Sequence, residues 1–445
     1  MDANPERLNM GRTLKIGSFH IGSALSDILL SAVWNRILIS NLGLPAGPVA
    51  LLAALRYLLA PLSIWAGDKS DKQPIMGKYR LPYIWGGRAM MALGLLLIPP
   101  STMLLAESPG SPLGWLLATL CFVICGAGTL ISGSPYLALL RDSAPPTKRG
   151  QALSIAQIML LFSFSLAPAL YGALIKDYDQ ASLWRAVLAG VVLALPFWFF
   201  SLLGEDRHAP VAMATEEQLP LRQAMGMIWG DPRARNFFFF LSLGMVSVFA
   251  QDAILEPFGG DVFGLDVGAT TRWNAVWGLA VLVSMVGGTI ITRKRAPHQQ
   301  VGTTQLGLVL TMIALALLGV VAILNSEAAM LPVLAIFGLG FGIQTVGTIS
   351  LLMAMTSDKH AGTYLGLWSL AQLVFRGVGM ALGGIMRDAV LALSGSYTLA
   401  YGSVFLLEAV GLAACIGLLL RVDVAGFARG EPPSTHERIA ALADG

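Results

Sequence analysis

The 445-residue sequence predicts an all-α membrane protein: twelve transmembrane helices in two pseudo-symmetric six-helix bundles. Three observations carry that prediction: a shortage of charge, twelve apolar runs of spanning length, and a repeat on either side of one long polar linker. Only 12% of the residues are charged, 55% are apolar, and the mean hydropathy is +0.69. Soluble domains carry roughly 25% charged residues, so an ordinary cytosolic enzyme and a disordered scaffold are both excluded. Neither could keep so much apolar surface out of water. A bilayer can, at about 20 apolar residues per span.

In chain order the apolar runs cover 17–41, 48–67, 83–106, 113–141, 150–175, 183–204, 234–258, 271–292, 301–325, 329–356, 362–387 and 397–421. Most connections are short and rich in Gly, Pro or Ser, such as Gly43-Leu44-Pro45-Ala46-Gly47-Pro48. The exception is 205–232, a polar linker that contains Glu216-Glu217 and an amphipathic piece, Leu219 to Trp229, suited to a membrane surface. Asp231-Pro232 then reads as a helix cap followed by a first-turn proline. The expected organisation is a tail over 1–16, a bundle over 17–204, the linker 205–232, a second bundle over 233–421 and a tail over 422–445.

With the N-terminus in the cytoplasm, 21 Lys and Arg residues fall on the cytoplasmic side and 4 on the other, while Arg36, Arg56, Arg88 and Arg376 lie within spans. That imbalance predicts that both termini and the linker are cytoplasmic. Met1 to Lys15 is polar and no cleavable leader is expected.

The halves resemble each other. Gly126-Ala127-Gly128 with Gly133 in span 4 recurs as Gly340-Phe341-Gly342 with Gly347 in span 10, at an offset of 214 residues. The repeats end in polar loops, Arg141-Asp142-Ser143 and Ser357-Asp358-Lys359. This is the signature of a duplicated bundle, and small residues at this spacing read as sites of close helix approach.

Ionisable groups inside a membrane cost about 2.5–3.5 kcal/mol each on insertion scales and usually face a cavity or a partner. Span 1 carries His20, Ser23, Asp27, Ser31 and Asn35 on one face, with Arg36 beside it. Span 7 has Asp252 and Glu256 one turn apart, followed by Pro257, which should bend the helix end. Span 11 has Ser369, Gln372 and Arg376 on one face, span 2 has Arg56 and span 12 has Glu408. Arg36, Arg56, Asp252 and Glu256 fall in the half of the membrane away from the cytoplasm, where a mutual ion-pair network would offset part of the desolvation cost. Three roles stay open for it: a static latch between the halves, a gate or proton-linked switch, and direct ligand contact.

His20 is the one histidine within a span, a residue type that can ligate the magnesium of a chlorophyll-type pigment and more often is simply hydrogen-bonded. Cys121, Cys125 and Cys415 lie in apolar segments and read as buried thiols. No grouping has structural metal spacing. Most tryptophans fall near span ends as an aromatic belt, which leaves Trp34, Trp277 and Trp368 as candidate cavity liners. The small net charge of +3 gives no footprint for nucleic acid.

Gly67-Asp68-Lys69-Ser70-Asp71-Lys72 resembles the loop between spans 2 and 3 of the major facilitator superfamily. The spacing after Asp71 is stretched, and Ser70-Asp71, Gly77, Arg80 and Leu81-Pro82-Tyr83-Ile84-Trp85 are similar to the PucC/LhaA group of light-harvesting complex assembly proteins. Gln251-Asp252-Ala253-Ile254-Leu255-Glu256-Pro257-Phe258-Gly259-Gly260 is a second match, and Asn35-Arg36 with Leu42-Gly43-Leu44-Pro45 a third. The resemblance implies a twelve-helix facilitator fold in the inner, intracytoplasmic membrane of a photosynthetic bacterium. It implies an assembly factor for antenna complexes that binds or delivers bacteriochlorophyll, antenna polypeptides or both. Its partners would be the lipid bilayer, antenna polypeptides and pigment-synthesis enzymes; no cofactor is required, and bacteriochlorophyll would be cargo. It also implies a cytoplasmic gate motif of Gly67, Ser70, Asp71, Gly77, Arg80 and Arg141, in which Asp71 faces the start of span 11 and pairs with Arg141.

The alternative function is a proton-coupled small-molecule transporter in which Asp27, Asp252 or Glu256 titrates. Catalysis is not expected. Attaching a prenyl tail needs clustered carboxylates to hold magnesium and diphosphate, and Asp68 with Asp71 is the one close acidic pair in a basic loop.

Overall fold

The computed structural model describes residues 8–205, 221–356 and 361–431. Outside these lie much of the two predicted tails, Glu216-Glu217, and Ser357-Asp358-Lys359, the loop on which the second half of the repeat was expected to end. Twelve helices among the described residues are long and apolar enough to cross a membrane. Spans 1 to 6 are Met10–Asn41, Ala46–Lys72, Leu81–Glu107, Pro112–Asp142, Pro146–Leu174 and Gln180–Leu202; spans 7 to 12 are Pro232–Ala253, Val267–Thr292, Pro297–Leu324, Glu327–Ala354, Gly366–Ser394 and Tyr397–Leu420. The protein is a multi-pass, all-α membrane protein.

Local chemistry sets the span limits. Proline occupies the first turn of spans 4, 5, 7 and 9, where its missing N–H leaves no helical bond unmade. Asp231 caps span 7 as predicted, its carboxylate accepting from the Arg233 N–H at 2.8 Å. Span 6 begins with a reciprocal cap in which Asp179 Oδ1 accepts from Ser182 N–H at 2.8 Å and Ser182 Oγ accepts from Asp179 N–H at 3.1 Å. The Ser182 N–H holds the Asp179 carboxyl below the usual aspartate value. In the linker, Leu221–Gly230 forms the surface helix, with Ile228 buried and Trp229 exposed.

Two compact units result: the described residues of Met1–Val211 with Asp252–Gly278, and those of Ala212–Gln251 with Leu279–Gly445. In the amino-terminal unit, span 1 packs on spans 5 and 6, and span 3 packs on spans 4 and 6. In the carboxyl-terminal unit, span 7 packs on spans 11 and 12, and span 9 packs on spans 10 and 12. Each of these four pairings has its counterpart six spans later in the other unit, which is the pseudo-symmetry the repeat predicted.

The glycine repeat keeps its pattern but exchanges its faces. A Cβ on Gly126 would sit 2.7 Å from Arg56 Cα of span 2, and one on Gly128 would meet the Gly87 carbonyl of span 3. In the copy, Gly340 lies against Thr311 N of span 9 at 2.6 Å, and Gly342 against Val281 O of span 8 at 2.7 Å. Span 9 is the counterpart of span 3, so the first and second glycines have traded neighbours. Gly347 is packed against Thr304, whereas Gly133 has open space.

Span 7 is not one continuous α-helix. It runs as α-helix from Pro232–Phe249, tightens to a 3₁₀ turn over Ala250–Ala253 and resumes as Leu255–Phe263. The break precedes Pro257, which sits in the first turn of the new helix where proline is tolerated. Two causes converge on the break. Gly379 and Gly383 of span 11 let its backbone come against Val246 and Ala250. Buried Glu408 of span 12 accepts the Gln251 N–H at 2.6 Å, a donor that a regular helix would have used internally.

Candidate functional site

Span 1 of the amino-terminal unit is buried almost all round, and His20, Ser23, Asp27 and Ser31 form its accessible stripe. Ser23 and Ser31 donate to their own helix, to Phe19 O at 3.3 Å and Asp27 O at 2.7 Å. That leaves Asp27 as the polar group free to face outward from the helix, and Arg56 of span 2 meets it: Nη1 donates to Asp27 Oδ1 at 2.5 Å while Nη2 donates to Tyr57 Oη at 2.7 Å. Arg56 is 8% exposed and Asp27 34%, so the cation is sealed in and its carboxylate reaches the surface of the unit. Arg56 therefore pairs with Asp27, an acid that the expected network of Arg36, Arg56, Asp252 and Glu256 did not include. The reason is proximity within one bundle, since spans 1 and 2 are joined by a short loop.

The rest of the expected network divides. Arg36 donates to Asn41 Oδ1 at 2.9 Å and to the Leu265 carbonyl at 2.8 Å. Its guanidinium lies where a Cβ on Gly260 would be, and a Cβ on Gly259 would come within 2.5 Å of the Trp273 ring, so each glycine of the Phe258-Gly259-Gly260 motif is required by a different neighbour. Glu256 is buried and accepts from Asn274 Nδ2 at 2.6 Å. Asp252 is half-buried at the break of span 7. Asn35 is completely buried, neither end of its amide has a hydrogen-bond partner among the described residues, and it lies between two π-helical turns, Leu29–Val33 and Ile37–Asn41.

At the basic-loop end of the same unit, Arg80 is the hub. It is 5% exposed and donates to Asp71 at 2.8 Å and to Asp142 at 2.7 Å. Arg141 reaches Asp142 at 3.1 Å, so the expected Asp71–Arg141 pair is replaced by the series Asp71, Arg80, Asp142, Arg141. Arg80 wins because it opens span 3 directly beneath the loop. Gly77, at φ +75°, and Met76, at φ +52°, make the tight turn that returns the chain to it. Ser70 is buried and donates to the Gly67 carbonyl at 3.0 Å. The helix of span 11, whose start Asp71 was expected to face, begins at Ala361, and 357–360 before it lie outside the described residues.

Sequence reading missed Arg88. It is 4% exposed, its guanidinium lies over Phe19 at 4.6 Å and Trp198 at 5.4 Å, and it donates to Met91 Sδ at 3.2 Å. Position within an apolar span was the available signal; the compensating rings come from two distant spans. His20 packs edge-on to Tyr136 at 4.9 Å. Trp34 and Trp368, expected as cavity liners, are both wholly buried. Trp34 stacks on Phe122 at 5.0 Å and donates to Thr102 at 2.8 Å, and Trp368 is wholly buried against Phe237.

In the carboxyl-terminal unit, Ser369, Gln372 and Arg376 of span 11 line one cavity together with Gln344, Thr345 and Thr348 of span 10 and Phe249 of span 7. Arg376 lies over the Phe249 ring at 4.1 Å. The span 11 stripe was legible in the sequence. Gln344 and Thr348 were not, because single uncharged polar residues in a Gly-rich apolar run carry no periodic signal. Among the described residues no group of three or more His, Cys, Asp and Glu is arranged to hold a metal ion.

The fold matches a bacterial homologue of the human lysosomal transporter Spinster, in an inward-facing and unoccupied conformation, with a TM-score of 0.69 at 16% identity, over 98% of this chain and 100% of that one. By sequence, the chain is 29% identical over 400 residues to Protein PucC of Rhodovulum sulfidophilum, covering 87% of each protein. It is 30% identical over 386 residues to the bacteriochlorophyll synthase 44.5 kDa chain of Rhodobacter capsulatus, covering 85% of this chain and 87% of that one. Residues 33–427, from the Asn35-Arg36 motif to the end of the last span, match the family described as PUCC protein, and the chain belongs to that family.

Proposed function

We propose that the chain is a proton-coupled carrier of a small molecule, built on the major facilitator plan with both termini and the 205–232 linker in the cytoplasm. The bundles would be 17–204 and 233–421, with tails 1–16 and 422–445. The observation that carries this reading is the Asp27–Arg56 pair: a sealed cation with a carboxylate one-third accessible, on the accessible stripe of span 1. Protonating Asp27 would free Arg56 from its anion, so that proton binding and the charge state of the unit's interior are linked. Asp252 and Glu256 would be further titrating positions. The series Asp71, Arg80, Asp142, Arg141 would act as the cytoplasmic gate. Purified protein in liposomes should accumulate its solute when an acid-outside pH gradient is imposed, and Asp27→Asn should remove the dependence on the gradient. Equal uptake with and without the gradient, in both proteins, would overturn proton coupling.

A second reading is favoured by membership of the PUCC family and by the relative named as a bacteriochlorophyll synthase chain. On it, the protein serves assembly of light-harvesting antenna complexes in a photosynthetic intracytoplasmic membrane, taking bacteriochlorophyll or antenna polypeptides as cargo. His20 would be the candidate pigment ligand. Protein drawn from its native membrane in mild detergent should then carry a near-infrared absorption band or co-purify with antenna polypeptides. Deleting the gene should diminish one antenna band. Colourless protein without such partners, and an unchanged spectrum on deletion, would exclude this reading.

A further inference from the structure

Spans 7, 10 and 11 of the carboxyl-terminal unit enclose a cavity of about 330 Å³, within the range of small-molecule sites, roughly 300–1,000 Å³. Its walls are mostly apolar. Phe249 and Phe341 stand edge to face with their centroids 5.8 Å apart, and Met245 and Leu373 complete the surface around them. Gln344 and Thr348 line the same space at 8% exposure each, and Gln344 Oε1 and Thr348 Oγ1 have no hydrogen-bond partner among the described residues. Buried polar atoms are nearly always paired, because each gives up water on burial. Here two unpaired ones lie a single turn apart on span 10, on one face.

Their placement is fixed by backbone packing. A Cβ on Gly307 of span 9 would come within 2.5 Å of Gln344 Cα, so span 10 is seated where only glycine allows it and cannot turn these groups elsewhere. Across the cavity, Gln372 adds an amide and Arg376 a guanidinium held over Phe249 at 4.1 Å. An amide can present its NH₂ end and a threonine hydroxyl can donate, so four side chains of spans 10 and 11 can offer donors to this largely apolar cavity. A cationic ligand would be repelled by Arg376. A sugar would leave most of its hydroxyls against phenyl rings.

We propose that this cavity binds a small amphipathic organic acid, its flat apolar body between Phe249, Phe341 and Met245 and its carboxylate accepting from Arg376, Gln372, Gln344 and Thr348. Charge-assisted hydrogen bonds to a carboxylate are the stronger kind, and the aromatic walls favour a planar body. That such an acid is the carried solute rests on the carrier reading above; that the cavity binds one does not.

The test is equilibrium binding of 2-naphthoate, a planar apolar acid, to the purified full-length protein in detergent, read by tryptophan fluorescence and by the shift in melting temperature. Wild-type protein should bind saturably. Thr348→Val and Gln344→Leu should each raise Kd about tenfold, consistent with the loss of one hydrogen bond to a charged group, and the uncharged 2-naphthamide should bind wild type about tenfold more weakly. Should Gln344→Leu fail to fold, Thr348→Val, which exchanges a hydroxyl for a methyl, carries the comparison. Absence of saturable binding overturns the proposal. So does an unchanged Kd in Thr348→Val, or equal affinity for acid and amide. Wild type that binds 2-naphthoate in this pattern yet shows no gradient-driven uptake leaves the site standing and removes the carrier reading. Gradient-driven uptake of another solute by protein that does not bind 2-naphthoate does the reverse.

Discussion

In the amino-terminal unit the sealed guanidinium of Arg56 has a carboxylate at 2.5 Å, and that of Arg36 has an amide and a backbone carbonyl within 3 Å. In the carboxyl-terminal unit, a buried amide oxygen and a buried hydroxyl open onto a cavity without partners. The first unit answers these two cations with its own groups while leaving the Asn35 amide unanswered among the described residues; in the second, the unanswered amide and hydroxyl of span 10 open onto a cavity. Two bundles with matching helix pairings have thus diverged in what their interiors are fit to do. The contrast also shows that duplication preserves which helices touch more faithfully than which faces they touch, as the exchanged glycine neighbours of spans 4 and 10 demonstrate.

The widest gap between the units should open at the ion pair. Asp27→Ala strands a cation that is 8% exposed, and removing one member of a buried pair costs about 3–5 kcal/mol. Melting of the purified protein in detergent should fall accordingly, and the double variant Asp27→Ala, Arg56→Met should recover much of the loss. A double variant no more stable than the single one would mean that Arg56 is compensated from elsewhere.

Next come the third glycines of the repeat. Gly347→Val places side-chain atoms against Thr304, for a cost of about 3 kcal/mol. Gly133→Val enters open space and should cost less than about 1 kcal/mol by the same melting measurement. Equal costs would mean that both copies pack alike. Within the second unit, Glu408→Leu leaves the Gln251 N–H unsatisfied at the break of span 7, and about 2 kcal/mol should be lost. Hydrogen exchange at Gln251 should rise in that variant; unchanged protection would show that the break is held by glycine packing alone.

The mildest change is Thr348→Val, which removes a hydroxyl that has no partner. Ligand-free protein should stay within about 0.5 kcal/mol of wild type, or gain slightly. A loss as large as that of Asp27→Ala would show the hydroxyl to be engaged within the protein and close the distinction between the units.

Much of the architecture could be read in advance. Long apolar runs give twelve spans because a bilayer offers backbone groups no partners, so each crossing segment must be helical. The Asp231-Pro232 start and the polar stripe of span 1 are local patterns and were found where expected. The stripe of span 11 likewise faces one space. Partner choice was harder. Arg56 had several acids at similar depth available to it, and only the packing of span 1 on its neighbours brings Asp27 to it. Arg80 was expected as part of a loop motif, yet it displaces Arg141 as the cation on Asp71 because the turn at Gly77 folds it back under the loop. Arg88 offered no pattern, since the rings that shield it lie some 70 residues behind and 110 residues ahead of it in the chain.

Hydropathy, charge asymmetry and short motifs follow from interactions within a turn or two of helix and with the bilayer, so the order of residues was enough to fix span number, helix limits and kinship. Which cation meets which anion, where span 7 breaks, and whether a polar group is answered or left open depend on side chains brought together from distant spans at distances near 3 Å. Coulomb and hydrogen-bond energies change steeply over such lengths, and a one-dimensional pattern does not resolve them. Those outcomes belong to the packed helices.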